Sequence, residues 1–295
     1  MLARRYQRIY KKRDCNMFLF HTNLYAALIA VACAALSADT FSLQTGYKFY
    51  AFIFFAALFV YNFDRLKKKS VSDRMNSPER MSFVNRHKKS VLILTSFSFL
   101  GGVIFFLHLN VPTMLVAAFT GAVTFSYFLL PGEKNKKKSW MRGILKPVFL
   151  SLAWSVTTVI LPFVFAEQKI ESRAVLFFLS FFMLFLVIGL WFDFKDRKGD
   201  MLEGKNNLAN LLSQKNYLIL IFVLIAFNLI FTSTVVKSLP LIMLSAYYLF
   251  HSIFYRELKI LDGGDEKNYL LFIDLPIFLV PAATQAGKIP WSSFF

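Results

Sequence analysis

Asp193, Asp196 and Asp200 stand in the segment Trp191-Phe192-Asp193-Phe194-Lys195-Asp196-Arg197-Lys198-Gly199-Asp200. Spaced i, i+3 and i+7, they fall within about 60° of one face of a helix with 3.6 residues per turn. Carboxylates stacked that way repel one another, a cost that a cation among them offsets. Hard carboxylate oxygens with room for water suit Mg²⁺, which is typically held by one or two carboxylates plus substrate phosphates. The plain alternative is a solvated helix end in which Asp193 pairs with Arg197 one turn on.

A second acidic cluster reads Tyr61-Asn62-Phe63-Asp64-Arg65, then Lys67-Lys68-Lys69, then Asp73-Arg74-Met75-Asn76-Ser77-Pro78-Glu79-Arg80. Nine residues apart, Asp64 and Asp73 lie on opposite faces of an uninterrupted helix. They converge only if the chain breaks between them, which Ser70, Ser72 and later Pro78 allow. Alone, this stretch is a basic juxtamembrane loop. Taken together, two carboxylate sites facing each other, each with a metal, would clamp a bridging diphosphate, with flanking Lys and Arg neutralising the rest.

The elements that must carry these clusters follow from composition. Of 295 residues 57% are apolar and only 17% charged, 36 are Phe, and the mean hydropathy is +0.52. A disordered chain, a coiled coil and a collagen-like fibre are excluded, and an ordinary soluble enzyme very nearly so. An outer-membrane barrel shows short alternating stretches, whereas here the apolar runs are continuous. Nine are long enough to span a bilayer: about 17–38, 46–63, 90–109, 112–131, 144–166, 172–194, 216–234, 236–255 and 268–286. The expected architecture is an all-α integral membrane protein, a bundle of nine transmembrane helices forming one domain over 1–295. A basic segment, 1–16, precedes it, and Asp-containing loops cover 64–89 and 195–215, after spans two and six.

The net charge of +17 arises from 34 Lys/Arg against 17 Asp/Glu. In a soluble protein such an excess would suggest nucleic acid; here the basic residues fill the gaps between apolar runs. The N-terminus and the connections after spans two, four, six and eight hold 29 of the 34, which puts that side in the cytoplasm and the C-terminus outside. The membrane expected is the cell membrane. Reading the first span as a cleaved signal peptide ending near Ala38 would leave eight spans, but its apolar region is longer than the usual h-region. Cys15 and Cys33 make neither a disulfide framework nor a metal site.

At this point the chain resembles the UbiA-type intramembrane prenyltransferases, which have nine transmembrane helices and two Asp-rich motifs after helices two and six. Asp193, Asp196 and Asp200 match the second motif, with Arg197 and Gly199 also typical. The first motif departs from the family pattern: Asn62 is only two residues before Asp64, and Asp73 comes late. Asp73 through Asn76, Pro78 and Arg80 matches its second half, as though about five residues were inserted. The resemblance implies Mg²⁺ held by Asp64 and Asp73 on one side and by Asp193, Asp196 and Asp200 on the other. It implies transfer of a prenyl group from a prenyl diphosphate to a small, often aromatic acceptor. Asn62, Arg80, Tyr127, Arg142, Lys146 and Lys205 would contact the donor.

Other residues have plainer readings beside functional ones. Tyr127 can belong to an interfacial aromatic belt, and Arg142 and Lys146 to the basic bias of that side. His21 and Asn23 open the first span and could face an acceptor pocket, or His21 could sit at the interface. Asp274, inside the last span, should face the bundle interior and pair there. His108 and His251 read as interfacial, and Gly101, Gly102 and Gly121 as sites of close helix packing. Phe residues could line a chamber for an isoprenoid chain, though none can be singled out.

Two other classes compete with this reading. A CDP-alcohol phosphotransferase is discounted, since it needs Asp-Gly-x-x-Ala-Arg and Asp262-Gly263 is followed by Gly264-Asp265 instead. A transporter, or a UbiA-like protein that binds isoprenoid lipid after losing a metal site, is the non-enzymatic alternative.

Overall fold

A computed structural model of the protein describes residues 21–66, 75–129, 136–203, 207–253 and 275–283, with the backbone alone over 126–129, 136–142 and at 144. Among the described residues every regular element is helical. In chain order these are α1 (Leu24–Thr40), α2 (Tyr47–Leu66), α3 (Pro78–Arg86), α4 (Lys88–Phe106), α5 (Val111–Leu129) and α6 (Lys136–Ser155). Helix α6 runs through a π-helical turn, Val156–Ile160, into α7 (Leu161–Phe165). Then follow α8 (Ser172–Leu202), α9 (Leu208–Leu211), α10 (Gln214–Phe231), a second π-turn (Thr232–Val236) and α11 (Leu239–Ile253).

Five stretches are long and apolar enough to cross a membrane: Tyr47–Leu66, Lys88–Phe106, Leu145–Phe165, Ser172–Leu202 and Gln214–Val236. Leu24–Thr40, Val111–Phe125 and Leu239–Ile253 are shorter apolar helices. All eight coincide with the first eight spans expected from sequence; the ninth, 268–286, is described only over 275–283, where it is helical. The chain is a multi-pass membrane protein, and its outward surface is what hydrocarbon requires. Ile93, Phe97, Leu100, Ile104 and Phe119 are all exposed on α4 and α5. With no water to bond the backbone in lipid, the helix satisfies its own N–H and C=O groups and apolar side chains can face outward.

Helix α8 is the centre of the packing. Phe177, Phe181, Leu184, Leu190 and Trp191 are buried along its length and join Tyr217 of α10 and Tyr248 of α11 in one core cluster. A second cluster unites α1 and α2 through Ala30, Ala34, Phe49 and Ile53.

Three expectations change. The segment anticipated as a loop from 195 stays helical to Leu202, so Asp193, Asp196 and Asp200 share one uninterrupted helix. The stretch after α2 contains α3, which Pro78 opens with its fixed φ and Glu79 favours at the positive end of the helix dipole. Phe83 and Val84 of α3 pack with Val91 and against Leu66, folding this segment back over the bundle end. Gly101 does permit close packing, since a Cβ there would lie 2.8 Å from the Phe55 ring, but Gly121 faces open space.

Candidate active site

Helices α6 and α8 approach closely at Gly189, where a Cβ would come within 3.3 Å of the Pro147 ring. One turn along α8, that approach sets Asp193 beside the residue preceding the proline. Lys146 Nζ donates to Asp193 Oδ1 at 3.2 Å. The carboxylate is almost wholly buried, the lysine side chain 41% exposed. Asp193 Oδ2 is also buried and has no hydrogen-bond partner among the described residues. The alternative pairing with Arg197 does not form; that guanidinium donates to the Leu212 carbonyl at 3.3 Å.

The other carboxylates of this face find different company. Lys195 Nζ donates to Asp196 Oδ1 at 3.3 Å. Asp200, buried, accepts from Asn207 Nδ2 at 2.9 Å and does not line the cavity that Asp193 and Asp196 share. Repulsion along the face is therefore met at Asp193 and Asp196 by protein cations and at Asp200 by an amide.

The opposite wall comes from α2 and the start of α3. Asp64, one turn from the end of α2, lines the same cavity, as do Asn76, Ser77 and Arg80. The sequence marks Asn76 only as part of the first motif's second half, with no role of its own. Its Nδ2 donates to the Asp196 carbonyl at 3.0 Å and its Oδ1 accepts from the Gly199 N–H at 3.1 Å. One side chain thus ties the first acidic segment to the second across 120 residues of sequence.

The cavity measures about 320 Å³. Asp64, Arg80, Lys146, Asp193, Lys195 and Asp196 form its polar end. Ile29, Leu150, Ala153, Trp154, Phe185 and Ile188 line the apolar remainder. Trp154 Nε1 donates to Tyr61 Oη at 2.9 Å, so the polar tips of two lining aromatics satisfy each other. Among the described Phe residues, Phe149, Phe185 and Phe192 line this wall, a choice that hydropathy could not make.

Several candidates stand elsewhere. Asn62 is buried outside the cavity: its Nδ2 donates to the carbonyls of Thr22 and Leu58, and its Oδ1 accepts from Asn23 Nδ2 at 3.2 Å. Both Asn side chains join the start of α1 to α2. His21 is buried and stacks on Phe83, with ring centroids 4.8 Å apart. His251 is buried against Trp191 rather than interfacial. Asp73, Lys205 and Asp274, with the side chains of Tyr127 and Arg142, lie outside the described residues.

A divalent ion suits this donor set in part. Carboxylates of two segments line one cavity, and one buried oxygen of Asp193 lacks a partner among the described residues. Among the described residues no three acidic, His or Cys side chains cluster tightly enough to hold an ion alone. Magnesium commonly takes one or two carboxylates and completes its shell with water and substrate phosphate, which this arrangement can accommodate.

Fold and site together define an all-helical intramembrane protein with a carboxylate- and cation-rimmed apolar cavity. The UbiA prenyltransferase family model matches residues 72–273, more than half of the chain, and the protein belongs to that family. Its structure is similar to that of a UbiA homolog from Archaeoglobus fulgidus, which was solved bound to GPP and Mg²⁺. The TM-score is 0.61 at 12% identity, covering 90% of this chain and 98% of the other, a likeness of fold. No curated protein matches the sequence.

Proposed function

We propose that the protein transfers a prenyl group from a prenyl diphosphate to a small, often aromatic acceptor, with Mg²⁺ as its cofactor. The observation that carries this reading is that Asp64 and Asp196, from widely separated segments, line one cavity whose rim is ionic and whose interior is apolar. Family membership and the ligands of the archaeal homolog support it further.

In this reading Asp64, Asp193 and Asp196 hold the metal, with Asp73 the further ligand that the first motif offers. Bound there with the substrate, Mg²⁺ would supply Lewis-acid neutralisation of diphosphate charge. Asp200, engaged with Asn207, steadies the segment after α8. Arg80 and Lys146 bind diphosphate oxygens, Arg80 through the paired donors of its guanidinium. Arg142, Lys205 and Tyr127 are assigned to the same end of the donor.

The allylic carbon–oxygen bond breaks with its electron pair passing to the diphosphate, and the rim cations stabilise that growing negative charge. The apolar wall keeps water from the cationic carbon. An acceptor carbon then supplies a π pair to form the new bond, and its proton passes to the released diphosphate. In this reading the rim lies on the cytoplasmic side of a nine-helix bundle, the side on which the basic residues gather.

Asp196→Asn tests the assignment. Mg²⁺-dependent release of pyrophosphate should fall by about two orders of magnitude, the scale of losing one main charge-stabilising group. Unchanged release would refute it.

A further inference from the structure

Among the described residues, the cavity lining of α6 and that of α8 end at a common level. Reckoned from the Lys146–Asp193 pair, the deepest lining residue of α6 is Trp154 and that of α8 is Phe185. Each stands eight residues away, about 12 Å along a helix axis. The two rings meet, with centroids 4.9 Å apart, and Trp154 is hydrogen-bonded to Tyr61, the deepest lining residue of α2. Three helices are therefore joined by one aromatic tier.

Behind this tier the neighbouring side chains are buried. Ser155, Thr158 and Val159 follow Trp154 and are fully buried; Leu184 and Phe181, beyond Phe185, are likewise. Trp154 packs against both principal core clusters. Tyr61–Trp154–Phe185 is thus backed by close-packed side chains, which do not yield without cost.

We propose that this tier limits the prenyl donor to two or three isoprene units, with Trp154 as the specificity-determining residue. An extended carbon chain advances about 3.8 Å per three bonds, so a four-bond isoprene unit covers roughly 5 Å. The space between the ion pair and the tier holds two units extended, or three when the chain bends. A volume of about 320 Å³ lies at the small end of the roughly 300–1,000 Å³ typical of ligand sites. The inference rests on reading the rim as a diphosphate site.

The test is calorimetric titration of the purified full chain, with Mg²⁺, by non-hydrolysable prenyl thiodiphosphates of two, three, four and six units. Inorganic pyrophosphate serves as the chainless control. In the wild type, affinity should rise about tenfold from pyrophosphate to the best short donor, as buried methylenes contribute, and fall at four units and beyond. Trp154→Ala should move the optimum to four units or more and leave pyrophosphate affinity unchanged. Ala153→Leu, which retains Trp154 and fills the same part of the cavity, should move it down by one unit. Affinity that climbs through six units in the wild type, or an identical profile in both variants, would overturn the tier and leave the diphosphate reading standing. No binding of pyrophosphate or of any analogue would sink that reading, and the tier with it.

Discussion

Gly199 donates its backbone N–H to the side-chain oxygen of Asn76 at 3.1 Å, and a Cβ added at Gly199 would clash with that same oxygen. The glycine is required by the closeness of a neighbouring side chain, and through it the start of α3 is held against the end of α8. The same amide bonds the Asp196 carbonyl, so the position of one proposed metal ligand depends on a residue of the other segment.

Gly199→Ala should consequently displace Asn76 and raise the Mg²⁺ concentration for half-maximal pyrophosphate release by about tenfold. Asn76→Ala leaves a helix amide and a carbonyl without this partner and should cost about 1–3 kcal/mol in stability. Thermal unfolding in detergent and Mg²⁺ titrations of activity check the pair. A Mg²⁺ requirement unaltered in both variants would show that the link only fastens the fold.

Lys146→Met removes the cation beside a buried carboxylate. The expected loss is about 1–3 kcal/mol, below the cost of breaking a fully buried pair because the lysine is partly solvated. Asp193→Asn in that background should recover part of the stability but none of the activity. A double-mutant cycle read by thermal melting measures the coupling, and additivity of the two changes would contradict the pairing.

Gly189→Ile wedges a branched side chain against Pro147, where even a single carbon is tight at 3.3 Å. Overpacking of this kind typically costs about 1–3 kcal/mol. It should also part Lys146 from Asp193 and lower activity about as far as Lys146→Met does. A fully active, equally stable variant would show that the α6–α8 spacing does not govern the ion pair.

Chelation of Mg²⁺ should abolish pyrophosphate release and weaken binding of a prenyl diphosphate by at least about tenfold, since carboxylates and diphosphate repel without the ion. Titration calorimetry with and without Mg²⁺ measures this. Binding of equal strength in both conditions would favour a non-catalytic isoprenoid-binding member of the family.

The helical class and the approximate spans were readable in the sequence because lipid leaves the backbone one economical solution, internal hydrogen bonding along uninterrupted apolar runs. The helical period likewise placed Asp193, Asp196 and Asp200 on one face before any neighbour was known. Loop 195–215 was misjudged in part because charged residues end an apolar run without ending a helix, and α8 continues to Leu202. Helix α3 was missed since its apolar face is short and its packing onto Leu66 and Val91 is non-local.

What each polar side chain touches was decided only by tertiary structure. Asn62 and Asn76 are the same residue type in neighbouring stretches, yet one is consumed by the α1–α2 contact and the other reaches Asp196 and Gly199. Asp193 chooses Lys146 over Arg197 because Gly189 lets α6 come close, a distance no sequence spacing encodes. Residue type and period constrain the neighbours along one helix, whereas hydrogen bonds between helices depend on packing distances set by side chains far away in the chain.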